Sequence, residues 1–152
     1  MESAVNYDAE LMWLSITIIL ARIIIELIFF AIGVSVFSFL NVIIYRLPRK
    51  MQFTLGNSMC TTCHHKLVSK DLIPIISWIS LKGRCRYCGE KISPRYMIVE
   101  FIGGIAAVLW TMIFGIKLKA LIAFLITAIA VTILYIIYDK IKEQSNKSNK
   151  SN

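Results

Sequence analysis

Charge is scarce in this sequence, and acid is scarcer still. Only 17% of its 152 residues are Asp, Glu, Lys or Arg, with nine acids against seventeen bases and a formal net charge of +8. Cysteine is absent outside residues 60–88, and residues 1–10 contain no lysine or arginine. Each shortage excludes something. A chain so poor in charge, 57% hydrophobic and with mean hydropathy +0.69, does not read as a soluble domain with a polar skin. A start that carries Glu2, Asp8 and Glu10 and no base does not read as a cleaved signal peptide. No nucleic-acid reading motif is visible, so the surplus of base is not read as nucleic-acid binding.

What the chain has instead is length of apolar sequence. Residues 11–45 are almost continuously apolar, as are 96–116 and 120–138. A helical span needs roughly 20 such residues, so the second and third stretches fit one span each. The first would be about 52 Å long as a helix at 1.5 Å per residue. That is too long for one untilted span and too short for two with a turn. Arg22 and Glu26 interrupt it on one helix face. The expected fold is an all-α polytopic membrane protein with about three transmembrane helices. The expected division is an extracytoplasmic N-terminus and surface or emergent helix over 1–24, spans over 25–45, 96–116 and 120–139, a loop over 46–95, and a disordered basic tail over 140–152.

The bases set the expected orientation. Ten of them lie in 46–95 against two acids, Asp71 and Glu90, and four lysines follow from Lys140 onward. The positive-inside rule puts that loop and the tail in the cytoplasm, the N-terminus and the Lys117–Lys119 turn outside, and the whole in the cell membrane as a multi-pass protein. Contact with acidic lipid headgroups follows from the same charge.

The four cysteines sit in that loop as Cys60-x-x-Cys63 and Cys85-x-x-Cys88. Two such knuckles match a tetrahedral structural zinc site. Four thiolates leave no open coordination position, so the metal would hold shape rather than hydrolyse anything. Gly89 suits a positive φ, which lets backbone N–H groups face sulfur, and His64 takes the same place in the first knuckle. Disulfides are disfavoured in a reducing cytoplasm, and no thioredoxin-like pattern surrounds the pairs. His64 or His65 could replace one thiolate, or both are solvated. Between the knuckles, Ile73, Ile75, Ile76, Trp78 and Leu81 are expected against the bilayer face or the helices, with Pro74 preventing a regular helix.

Five stretches carry a resemblance: FSFLNVIIYRLPR (37–49), the two knuckles, DLIPIISW (71–78), LKGRCRYCGEKIS (81–93) and SPRYMIVE (93–100). In unbroken order over about 33–139, they resemble the N-terminal half of the prepilin peptidases, bifunctional type IV prepilin leader peptidases and N-methyltransferases. The resemblance implies a helical membrane bundle with a cytoplasmic zinc-binding loop and an intramembrane aspartic protease. Its substrates would be type IV prepilin-like precursors, and its methyl donor S-adenosylmethionine, for which no glycine-rich loop is visible. It places Asp139, at the end of LYIIYD, where the first catalytic aspartate stands. The second belongs to a Gly-x-Gly-Asp motif, which does not occur in these 152 residues. Aspartic proteolysis needs two carboxylates sharing a proton. The chain is therefore expected not to be a complete peptidase alone, unless a second chain supplies the missing half. The alternatives are a non-catalytic zinc-binding membrane module that binds pilin precursors or an assembly complex, and a truncated product without a role.

The resemblance also marks departures. Phe37 stands where the family usually has glycine, which predicts disturbed helix packing. Glu100, about one turn inside the second span, is either a functional acid or is neutralised by Arg95, Arg46 or headgroups. Ser93 and Pro94 form a helix start, and Asn41 is an expected inter-helix hydrogen bonder.

Overall fold

The computed structural model describes residues 2–49 and 58–151. Those residues form α1 (Glu2–Arg46), a 3-10 turn (Ser69–Asp71), the short α2 (Ile76–Ser80), α3 (Arg95–Phe114) and α4 (Leu118–Ser151), with no named strand among them. The expected all-helical class is what the chain adopts. By length and composition three segments can cross a membrane: Glu10–Arg46, Arg95–Phe114 and Leu118–Lys142. Residues 50–57 of the expected loop lie outside the described residues.

Cross-helix contacts give the topology. Asn41 meets Tyr96, Phe37 meets Gly103, and Glu26 meets Thr111, so α1 and α3 run antiparallel. Arg95 meets Asp139 and Trp110 meets Thr127, so α3 and α4 are antiparallel too. The loop and the far part of α4 therefore share one end of the bundle. The N-terminal part of α1 and the 115–117 turn share the other. Gly115, at φ 69° and ψ −172°, ends α3 in a positive-φ extended conformation that essentially only glycine adopts.

α1 is one unbroken helix, about 68 Å long at 1.5 Å per residue, which is compatible with the expected emergent extension of the first span, and residues 10–24 are exposed along its whole circumference. Packing begins at Ile25 and Glu26. At the other terminus, the tail expected to be disordered continues α4 to Ser151. No glycine or proline follows Gly115, and the Lys, Glu and Gln of 140–144 are good helix formers, so nothing stops the helix that the span starts.

The core is small and lies between the three long helices: Phe37, Ile44, Val99, Ala106, Ala107, Phe124 and Ala128. Phe37 does not push its neighbours apart, which corrects the expectation. It is fully buried, and its ring lies on Gly103, where an added Cβ would meet its Cγ at 2.3 Å. The glycine that α1 lacks is supplied by α3. Gly104 likewise receives Phe30 and Val34. Close approach of backbones at small residues is the usual means of packing where lipid removes the hydrophobic drive between helices.

Candidate functional site

The two cysteine knuckles are the same turn built twice. In the first, Cys60 N–H donates to the His65 carbonyl at 3.0 Å, and His64 N–H to the Cys60 carbonyl at 3.0 Å. In the second, Cys85 N–H donates to the Glu90 carbonyl at 2.8 Å, and Gly89 N–H to the Cys85 carbonyl at 3.0 Å. Isolated bridges Met59–Lys66 and Arg84–Lys91 close each turn. His64 at φ 55° and Gly89 at φ 71° occupy the equivalent left-handed position.

The turns face each other and bring four free sulfurs within 4.8 Å of one another. Cys60 Sγ and Cys88 Sγ are 3.8 Å apart. A tetrahedron of sulfurs around zinc at about 2.3 Å has edges of about 3.8 Å, so the set fits that ion. Four sulfurs in one cluster also differ from two disulfide pairs, whose bonded sulfurs stand about 2 Å apart. The thiols already respond unequally. Backbone N–H groups of Cys63 and Thr62 draw Cys60 down to about 6. At Cys88 the Glu90 N–H also pulls downward, but lost hydration and the neighbouring sulfurs prevail and push it up to about 12. A divalent cation removes that conflict by taking all four as thiolates.

Neither histidine belongs to the cluster. His64 provides the turn, and the His65 ring stacks on Tyr87 at 3.6 Å between centroids. Asp71 is a residue that spacing arguments missed. Its carboxylate is 3% exposed and accepts Arg86 Nε at 2.7 Å, Tyr87 Oη at 3.3 Å and the Val68 N–H at 3.3 Å. Arg86 and Tyr87 are the two residues between Cys85 and Cys88. Asp71 thus ties the 68–71 turn to the second knuckle, and the Arg86 guanidinium holds its carboxyl below the ordinary carboxylate value. Its sequence signal was being one of two acids in a loop full of bases.

The second polar feature lies where α1, α3 and α4 converge at the loop end. A cleft of about 730 Å³ is lined there by Tyr45, Arg49, Arg95, Tyr96, Tyr138 and Asp139, among others. Asp139 is buried, and both of its carboxylate oxygens accept from Arg95 Nη1. The Arg95 guanidinium also faces the Tyr96 ring at 5.2 Å, and Arg49 faces Tyr45 at 4.4 Å. Asn41 Nδ2 donates to the Tyr96 carbonyl at 3.0 Å, as expected of an inter-helix hydrogen bonder. Ser93 Oγ accepts the Arg95 N–H at 3.3 Å at the start of α3. Asp139 is the one carboxylate lining this cleft among the described residues.

Arg95 therefore neutralises Asp139 and not Glu100, which corrects one expectation. Glu100 accepts the backbone N–H of Ile75 at 2.7 Å. At the opposite end, Glu26 accepts from Thr111 Oγ1 at 2.7 Å and Arg22 Nε at 3.0 Å, so the charges interrupting α1 are internally matched.

Residues 31–114 match the family model described as the bacterial peptidase A24 N-terminal domain. The chain is 43% identical over 76 residues to a prepilin leader peptidase/N-methyltransferase of Myxococcus xanthus, covering 50% of this chain and 23% of that one. It is 40% identical over 82 residues to one from Vibrio cholerae, covering 49% and 32%. It is 30% identical over 136 residues to one from Aeromonas salmonicida, covering 73% and 47%. The chain thus spans about a quarter to a half of these curated relatives. No solved structure matches it.

Proposed function

The chain belongs to the bacterial peptidase A24 family through its N-terminal domain, and on that premise we propose that it serves the processing of type IV prepilin-like precursors in the cell membrane. The carrying observation is the buried Asp139 beside Arg95 in a cleft at the loop end of the bundle. In this reading Asp139 is the catalytic residue supplied by this chain. A general acid and a general base are both needed around one water. The second carboxylate comes from a Gly-x-Gly-Asp segment outside these 152 residues, in the same protein or in a partner chain.

Arg95 then has a positioning role. With both oxygens of Asp139 held, the pair is a resting arrangement. One oxygen must be released to face water and the second carboxylate. The charge distribution supports a cytoplasmic loop and C-terminus. The four cysteines hold a structural zinc that gives the loop its shape, since the closed donor set leaves no position for substrate. N-methylation belongs to the same family reading, with S-adenosylmethionine as donor, and no residue of this chain is assigned to it.

A second reading is favoured by one observation. Both oxygens of Asp139 are engaged by Arg95, and among the described residues no second acid lines the cleft. The chain would then bind a pilin precursor or an assembly complex without cutting.

The test is a membrane preparation holding the chain and a prepilin-like precursor, with and without a chain that carries a Gly-x-Gly-Asp span. Leader removal is read by mass. Cleavage is expected only in the combined sample, and Asp139→Asn should abolish it. Equal cleavage by that variant removes Asp139 from the mechanism. Co-purification of intact precursor, with no cleavage in either sample, selects the binding module.

A further inference from the structure

Three features that the proposed chemistry leaves unused meet between Leu72 and Ile79. The first is Glu100, a buried carboxylate in an apolar span. The second is backbone strain. Ile75 stands at φ 60°, ψ −53°, a region that β-branched residues rarely enter. The Ile76 N–H returns to the Pro74 carbonyl at 2.5 Å and closes a three-residue turn. The third is an exposed apolar ridge: Leu72 is 44% exposed, Ile73 44%, Ile76 64% and Ile79 59%.

One contact explains why the three coincide. The tight turn aims the Ile75 N–H into the bundle, where Glu100 Oε2 accepts it at 2.7 Å. Ile73 and Ile76 are left facing outward. Trp78 secures the far end, with its indole N–H on the Ile92 carbonyl at 3.2 Å and its ring against Gly83.

Position along α3 sets the level of the ridge. Tyr45, Tyr96, Tyr138, Arg49 and Lys142 gather around the start of α3, a mixture of aromatic rings and cations that settles at the headgroup layer. Glu100 lies five residues beyond Arg95, about 7.5 Å along the axis at 1.5 Å per residue. Interfacial helices bury their apolar faces about 5–10 Å into the headgroup boundary. The ridge is pinned to the helix whose Ile98, Phe101 and Ile105 are exposed apolar surface, which faces lipid in a membrane. Exposed Lys70, Lys82 and Arg84 flank it, with the sign that acidic headgroups attract.

We propose that residues 72–79 form a lipid-inserting ridge, seated at the headgroup boundary of an acidic bilayer by the Glu100–Ile75 hydrogen bond. Glu100 is its positioning residue. The proposal stands apart from prepilin processing.

The test places a benzoylphenylalanine photo-crosslinker at Ile76 or Ile79 of the full chain, with exposed knuckle positions Thr61 and Lys91 as controls. The chain is reconstituted in vesicles of phosphatidylcholine with or without phosphatidylglycerol. Lipid adducts are expected at 76 and 79, well above the controls and higher with phosphatidylglycerol. Losing this hydrogen bond, which leaves the Ile75 N–H without its acceptor, should lower the adduct yield about tenfold in Glu100→Ala, whereas Glu100→Gln, which keeps an acceptor oxygen, should lose less. Zinc content should be unchanged in both. If Glu100→Ala yields little folded chain, the Gln variant and the wild-type positional comparison still decide. Adducts at 76 and 79 no greater than at the controls overturn the proposal, as does cross-linking to protein in place of lipid. Equal yields in both vesicle types overturn the acidic-lipid preference. Unchanged yields in both Glu100 variants overturn its seating role.

Discussion

Arg95 and Asp139 stand 44 residues apart in sequence, yet the guanidinium of one closes on both carboxylate oxygens of the other. The pair joins the first turn of α3 to α4 at the rim of the cleft. Arg95→Ala leaves Asp139 buried and unpaired, which should cost about 3–5 kcal/mol, the range for breaking a buried ion pair from one side. Adding Asp139→Asn to Arg95→Ala should restore part of that loss. Thermal unfolding of the single and double variants in detergent checks the order. A double variant no more stable than Arg95→Ala would contradict it.

Phe37 packs on Gly103 at a close crossing of α1 and α3. Gly103→Ala should destabilise the bundle by about 1–3 kcal/mol through overpacking. In a Phe37→Ala background the same change should cost little, because the ring it meets is gone. A double-mutant cycle by thermal unfolding measures the difference.

Metal content distinguishes the four cysteines from the two histidines. The wild-type chain should bind about one zinc and lose it to a chelator, with the 58–94 loop becoming sensitive to protease. Single Cys→Ser changes at 60, 63, 85 or 88 should weaken binding sharply. His64→Gly and His65→Ala should retain full stoichiometry, since His64 supplies a left-handed turn and His65 a ring stack. Affinity should fall as pH falls, because the ligands bind as thiolates. Elemental analysis across the variants decides.

Asp71 makes its own pH prediction. Arg86 holds its carboxyl below the ordinary value of 3.8. A carboxylate depressed on folding contributes order that is whole above its unfolded value and is lost as pH falls through the folded one. The contribution is therefore intact at neutral pH, where Asp71→Asn should raise hydrogen exchange over residues 68–81 by roughly threefold to tenfold, the scale of a partly exposed ion pair. Wild type and variant should converge only as pH falls through the folded value of Asp71, which lies below 3.8. Identical exchange at neutral pH would show that Asp71 does not hold the turn.

Much of this molecule was legible in order along the chain. The three apolar runs became three long helices, and the Cys-x-x-Cys spacing became a four-sulfur cluster that could hold a metal ion, because a period or a knuckle is a local property. Gly89 and His64 were readable as equivalent turn positions for the same reason. Phe37 was not. Alone it looked like an obstruction, because the glycine that receives it lies on another helix. Glu100 and Arg95 invited pairing by proximity in sequence, but they lie on different faces of α3. The partner of each comes from a distant segment: Ile75 for Glu100 and Asp139 for Arg95.

The sequence by itself determined the long apolar helices and the four-cysteine donor set, since hydrophobic length, breaker residues and cysteine spacing act within a few turns of chain. Only the tertiary structure decided which buried charge met which partner, where Phe37 fitted, and that a strained Ile75 docks on Glu100. A buried polar group is costly until something satisfies it, and which group does so depends on how the helices and the loop come together in space.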